Sequence, residues 1–172
     1  MNEQIITIVP HVNFRVRQLG DWVDTNTDTY FKGKKVLVFS LPGAFTPTCS
    51  NQQLPGYEKQ ADVFKAHGID DIYCISVNDS FVMNAWANNE NIKNVKVIPD
   101  GSGEFTRQMG MLVKKDDKGF GYRSWRYAMI VNDGIIDKIF EEPGKSDNCS
   151  TDPYGESSPE NVLQWLEMGK NN

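Results

Sequence analysis

Only three cysteines and two histidines occur in the 172 residues. Three thiols at uneven spacing make no disulfide framework, which points to a reducing compartment and, by default, the cytoplasm. Together with His11 and His67 they fit no zinc spacing, so no metal is expected. Ser50, Asn51 and Gln52 follow Cys49, so no C-x-x-C pair exists, which weakens a thioredoxin-like disulfide-reductase reading. Neither of the glycine-rich phosphate-binding signatures occurs, which leaves nucleotide binding unsupported. No stretch approaches the ~20 apolar residues of a membrane span, and Met1 to Val16 lacks the apolar core of a secretion signal. An excess of basic charge is absent as well. Eighteen Lys and Arg against 23 Asp and Glu leave a net charge of −5, so nucleic acid is not an expected partner.

What is present suits one soluble domain over 1–172, with 39% hydrophobic and 24% charged residues. Val12 to Val16 alternates and reads as a strand, and Gly20-Asp21 turns it toward Trp22-Val23 as a short hairpin. Thr25 to Lys32 reads as a helical turn closed by Gly33. Val36 to Leu41, Ile72 to Val77 and Val95 to Ile98 have the length and β-branched content of buried strands. Helices are predicted over Pro47 to Ala66, broken near Pro55-Gly56, from Ser80 as cap to about Asn89, and over Ser102 to Met109. Lys114 to Tyr122 reads as an exposed loop, and Asn132-Asp133-Gly134 as the turn of a hairpin. Glu141 to Ser157 reads as a long mobile surface loop holding Cys149. A last helix is capped by Ser158 and buries Val162, Leu163, Trp165 and Leu166. Strands alternating with helices, then a hairpin and a helix, give an α/β fold with a central mixed β-sheet flanked by helices.

The chain is organised around Leu41 to Ser50. A buried strand stops at Pro42-Gly43, Thr46 stands where a helix N-cap belongs, and Pro47 takes the first helical position. Cys49 then falls in the first turn, beside unpaired N–H groups and the positive end of the helix dipole. A thiol in such a place ionises more readily than one in a strand.

Pro42, Thr46 and Cys49 match the P-x-x-x-T-x-x-C signature of peroxiredoxins, and Pro-Gly-Ala-Phe-Thr-Pro-Thr-Cys-Ser resembles their type II, or fifth-class, subgroup. The likeness continues through Ile75 to Asp79, Pro99 to Gly101 and Arg123 to Tyr127. It implies a thioredoxin-like fold with an N-terminal β-hairpin extension, a homodimer, and a peroxidase of hydrogen peroxide and alkyl hydroperoxides. No bound cofactor is implied: the reductant is an external thiol, glutathione with glutaredoxin, or thioredoxin.

The resemblance also assigns roles. Cys49 is the nucleophile that becomes sulfenic acid, Arg126 the cation beside it, and Thr46 a hydrogen-bond partner of the peroxide. Pro42 walls the pocket against over-oxidation. Ionisation alone can accelerate attack at most about thirty-fold, because an ordinary thiol is already a few per cent ionised at neutral pH. Any larger rate has to come from orienting the peroxide and stabilising the departing oxygen. Gly43, Phe45 and Phe120 are candidates for the pocket rim, Phe45, Phe81, Trp86 and Phe120 equally for core or a dimer contact. Cys149 matches the loop cysteine that resolves the sulfenate in some fifth-class members, or it is a spare thiol. Cys74 fits a small core residue better than the resolving role given it in some relatives. Outside catalysis, a redox-sensing module remains as an alternative.

Overall fold

The computed structural model describes residues 6–169. Five strands form the main sheet: β3 (Lys35–Ser40), β4 (Asp71–Ser76), β5 (Val95–Pro99), β8 (Tyr127–Asn132) and β9 (Ile135–Glu141). Their order across the sheet is β5-β4-β3-β8-β9. β3 pairs in parallel with β4 and antiparallel with β8, Phe39 facing Cys74 on one side and Ala128 on the other. The sheet is therefore mixed, and β3 at its centre is buried on both faces.

Alternation along β3 divides the interior in two. Leu37, Phe39 and Leu41 point into one core with Leu54, Tyr57, Phe64, Trp86 and Val162. Val36 and Val38 point into the other with Phe14, Phe31, Phe105, Trp125 and Tyr127. α2 (Leu54–Lys59), α3 (Ala61–Ala66), α4 (Ser80–Asn89) and α6 (Pro159–Gly169) feed the first core, α1 (Thr27–Phe31) and α5 (Glu104–Gln108) the second. Tyr57 stacks on Phe39 with ring centres 4.2 Å apart, fixing α2 to the central strand. Each such fully buried side chain contributes about 1.5–3 kcal/mol of burial energy.

The N-terminal extension is a hairpin of β1 (Asn13–Gln18) and β2 (Asp21–Asn26), turned by Leu19 and Gly20 at positive φ. The β8–β9 turn places Asp133 at φ +49 and Gly134 at φ +81, the paired left-handed residues that a two-residue hairpin loop requires. Ser158 caps α6 by accepting from the Asn161 N–H at 3.2 Å.

Several expectations need correcting. α4 is capped by Asp79, which accepts from the Val82 N–H, while Ser80 Oγ accepts from Arg17 N–H in β1. A carboxylate is the stronger acceptor at a helix N-terminus, which frees the serine to tie down the hairpin. The helix after Cys49 does not break at Pro55-Gly56. Instead Cys49–Gln53 forms a π-helical turn, Pro55 opens α2, and the break falls at Gln60. Pro55 has no N–H to donate upstream, so the preceding turn widens and Leu54 N–H closes on Cys49 C=O.

Lys114 to Tyr122 is not a plain exposed loop. β6 (Leu112–Lys114) pairs with β7 (Tyr122–Ser124), and Lys115, the residue after β6, is buried over Trp125. The segment after β9 is anchored rather than loose. The buried Glu142 carboxylate accepts from the N–H groups of Gly155 and Ser157 and from the Ser157 hydroxyl. Asp147 and Asn148 bond Lys114 and Asp117.

Candidate active site

The site sits where the chain leaves the carboxyl end of β3, the crevice where open α/β sheets bind ligands. Ala44 N–H donates to Asn78 Oδ1 at 3.0 Å, holding the Pro42 to Phe45 turn against the end of β4. Phe45 takes φ +65 to redirect the chain into the helix. Ser50 N–H makes the first helical hydrogen bond, to Thr46 C=O at 2.9 Å. The N–H groups of Thr48 and Cys49 lie ahead of it, at the positive end of the turn.

Thr46 occupies the N-cap position, but its hydroxyl does not cap the helix as its residue type suggests. It donates back to Gly43 C=O at 2.7 Å. Its proton is thereby committed, and its lone pairs are left to accept from a ligand.

Cys49 is fully buried. Arg126, 2% exposed at the end of β7's connection into β8, directs Nη1 at both the Cys49 sulfur, 3.5 Å away, and the Gln53 side-chain oxygen. Its other amino group donates to both oxygens of Asp152 at 2.8 and 2.9 Å. Burial opposes the charge on Arg126, yet the sulfur and Asp152 more than offset it and hold the guanidinium above its ordinary value. Behind the sulfur, Trp86 Nε1 donates to Ser50 Oγ at 2.9 Å, locking the next residue of the turn.

A cavity of about 230 Å³ adjoins this group through Thr48 and Asp152, lined also by Pro42, Thr46, Pro47, Lys115, Lys118 and Phe120. Pro42 and Phe120 thus stand on the rim. Gly43 serves it indirectly: an added Cβ there would collide with Arg123 Nη1, which donates to Pro42 C=O. Phe45 lies outside the lining and is 52% exposed. Trp86 is core, whereas Phe81 is exposed and packs edge-on against Trp22.

None of the three thiols is in the cavity lining, and Cys49 lies directly behind its Thr48 wall. Cys74 on β4 is fully buried in the same core as Cys49, and burial raises its pKa well above the ordinary thiol value. Cys149 is half-buried, 3.5 Å from the Thr151 hydroxyl, whose hydrogen bonding pulls its pKa down. All three cysteines are free. The sequence reading missed Gln53, Asp152, Lys115 and Arg123. Arg123 lay within a quoted motif, but nothing local marks the others.

The Redoxin family matches residues 9–155. A protein named peroxiredoxin from Rhizobium etli is 59% identical over 168 residues, covering 92% of this chain and 94% of its own length. The structure of the Plasmodium falciparum antioxidant protein, described as a 1-Cys peroxiredoxin, matches at TM-score 0.88 and 40% identity. It covers 96% of this chain and 98% of its own. Reduced Prx3 of Vibrio vulnificus in complex with hydrogen peroxide matches at TM-score 0.84 and 36% identity, covering 96% and 99%. With a family match over most of its length and relatives that share one name, the chain belongs to the Redoxin family and is one of its peroxiredoxins, enzymes that reduce peroxides with a thiol.

Proposed function

We propose that Cys49 is the peroxide-reducing thiol and that hydrogen peroxide and small alkyl hydroperoxides are its substrates. The observation that carries this reading is the buried Arg126 with one amino group on the Cys49 sulfur. The thiolate attacks the terminal peroxide oxygen. An S–O bond forms as the O–O bond breaks, and sulfur loses the two electrons that the O–O unit gains. The hydroperoxide's own proton, received by the Thr46 oxygen, passes to the leaving oxygen, which departs as water or alcohol and leaves a sulfenate. Arg126 and the Cys49 N–H face the charge that develops along that line. Pro42, with no N–H, closes one wall.

Cys149 is the better candidate for resolving the sulfenate, because its thiol ionises more easily than the buried Cys74 and its segment is tied to the site through Asp152. A disulfide needs Cα atoms within about 7 Å, so the Cys49 turn unwinds to form it, and thioredoxin or glutaredoxin with glutathione then reduces it. The anchors on Asp147, Asn148 and Asp152 favour a second reading, direct reduction of Cys49 by an external thiol. The exposed Phe45, Phe81 and Trp22 offer an apolar surface for the expected homodimer, acting in the cytoplasm.

Intact mass after one equivalent of peroxide under thiol-blocking conditions tests this on wild type, Cys149→Ser and Cys49→Ser. Loss of two blockable thiols in wild type alone supports resolution by Cys149. A sulfenic acid or thiol adduct in both wild type and Cys149→Ser supports the one-cysteine cycle. Undiminished peroxide consumption by Cys49→Ser overturns the whole reading.

A further inference from the structure

Lys115 is the one charged group around the cavity that the pairing scheme leaves over. Lys115 is 3% exposed, and it lines the cavity whose wall includes Thr46 and Thr48, next to Cys49 in the chain. Among the described residues its ammonium has neither a hydrogen-bond acceptor nor a salt-bridge carboxylate. It stands over the face of Trp125, with the ring centre 5.7 Å away. The neighbouring charges are matched already: Lys118 pairs with Asp117 at 3.2 Å, and Arg126 takes both oxygens of Asp152. A cation drawn largely out of water is costly, and burial accordingly pulls the Lys115 pKa down, with Asp152 pulling the other way. The backbone is built to hold it there. Lys115 N–H donates to Gly121 C=O, and its own carbonyl accepts from Lys118 and Phe120.

Thr46 and Lys115 line one and the same 230 Å³ space, with Pro42, Pro47 and Phe120 supplying apolar wall. Such a space takes a short chain of a few carbon atoms. We propose that Lys115 is a specificity residue that receives a carboxylate on the ligand whose other end meets Cys49. Asp152 does not repel that carboxylate outright, because its charge is chelated by Arg126. The proposal rests on Cys49 being the peroxidatic centre. Two ligands carry the required chemistry, a short carboxylate-bearing hydroperoxide and a carboxylate-bearing thiol reductant such as glutathione.

Two half-reactions separate these sources. Oxidation is followed by tryptophan fluorescence in single turnover with 4-hydroperoxy-4-methylpentanoic acid, its methyl ester and hydrogen peroxide. Reduction of the sulfenate is followed with glutathione and its diethyl ester. In wild type the acid is expected to outpace its ester roughly tenfold in one half-reaction, the size of one charge-assisted hydrogen bond. In Lys115→Met that ratio, taken against each protein's own hydrogen peroxide rate, is expected to fall toward one, and Lys115→Arg to restore part of it. Preference in the oxidation arm assigns the carboxylate to the hydroperoxide, and preference in the reduction arm to the thiol. Equal rates for acid and ester in both arms of wild type overturn the proposal whether or not any variant folds. So does an acid preference that survives intact in Lys115→Met. Failure of wild type to consume hydrogen peroxide is a different result, and it overturns the peroxidase centre itself.

Discussion

Arg126 and Asp152 are joined by a single amino group that donates to both carboxylate oxygens, at 2.8 and 2.9 Å, while the guanidinium's other amino group faces Cys49. The carboxylate therefore sets the rotation of the cation about its long axis. It also ties the segment carrying Cys149, through Asp152 and Arg126, to the Cys49 thiol.

Asp152→Asn keeps the shape and one acceptor while removing the charge. Because Asp152 is 38% exposed, water replaces part of what is lost. The stability cost is therefore about 1–2 kcal/mol rather than the 3–5 of a wholly buried pair. We predict that kcat/KM for hydrogen peroxide falls about tenfold, or ~1.4 kcal/mol of transition-state stabilisation. A stopped-flow trace identical to wild type would show that Gln53 and the sulfur position Arg126 unaided.

Thr46→Val preserves volume and removes the hydroxyl that donates to Gly43 and presents lone pairs to the cavity. Losing one net hydrogen bond costs about 1 kcal/mol of stability. The rate with hydrogen peroxide is predicted to drop by roughly 10²-fold, the scale of one positioned proton-handling group. Thr46→Ser should recover most of it. A Val variant that melts lower but reacts at the wild-type rate would confine Thr46 to holding the turn.

Cys74 tests the division between chemistry and packing. It is wholly buried beside Phe39 of β3, and its raised pKa keeps it a thiol at neutral pH. Cys74→Ala is predicted to cost about 1 kcal/mol in chemical denaturation, with peroxide-dependent thiol loss by mass spectrometry unchanged. Disappearance of that thiol loss would move the resolving role to β4.

Glu58 gives a pH signature that is independent of catalysis. Burial pushes its pKa up, but the N–H groups of Lys93, Asn94 and Val95 and the Asn94 amide outweigh this and hold it below the ordinary glutamate value. A depressed carboxylate stabilises the fold above the unfolded-state value, and that contribution is lost as pH falls through the folded one. Stability measured by urea titration should therefore decline below about pH 5, and the decline should be shallower in Glu58→Gln. Parallel curves for the two proteins would assign acid sensitivity elsewhere, Asp71 with Lys34 and Lys96 being the next group.

What the sequence disclosed was what depends on neighbours in the chain. Val36 to Leu41 reads as buried strand because both faces of β3 are covered, and Asp133-Gly134 reads as a turn because few residues tolerate two consecutive positive φ angles. Cys49 at a helix start follows from Thr46-Pro47 alone. Asp152 escaped because its meaning is a contact with Arg126 across the fold, and a single Asp in a polar segment carries no local signal. Lys115 escaped because lysine among Asp and Gly reads as solvated, whereas the β6–β7 hairpin folds it inward over Trp125. The π-helical turn escaped because its period applies to only five residues, and the proline that imposes it comes after them. Asp79 and Ser80 are adjacent and both able to cap α4, so only the geometry separates their duties.

The proline at the start of α2 has a consequence for how the thiol-bearing turn melts. Residue 55 contributes no donor, so the ladder of helical bonds has a gap just after Leu54 N–H closes on Cys49 C=O. Downstream, Tyr57 is held by its stack on Phe39 and by its hydroxyl bond to Ser157 C=O, neither of which involves the π-turn. Opening the turn thus ends at a built-in seam: a small cooperative unit of about one helical turn separates from the rest, at the cost of that unit alone and not of the whole helix.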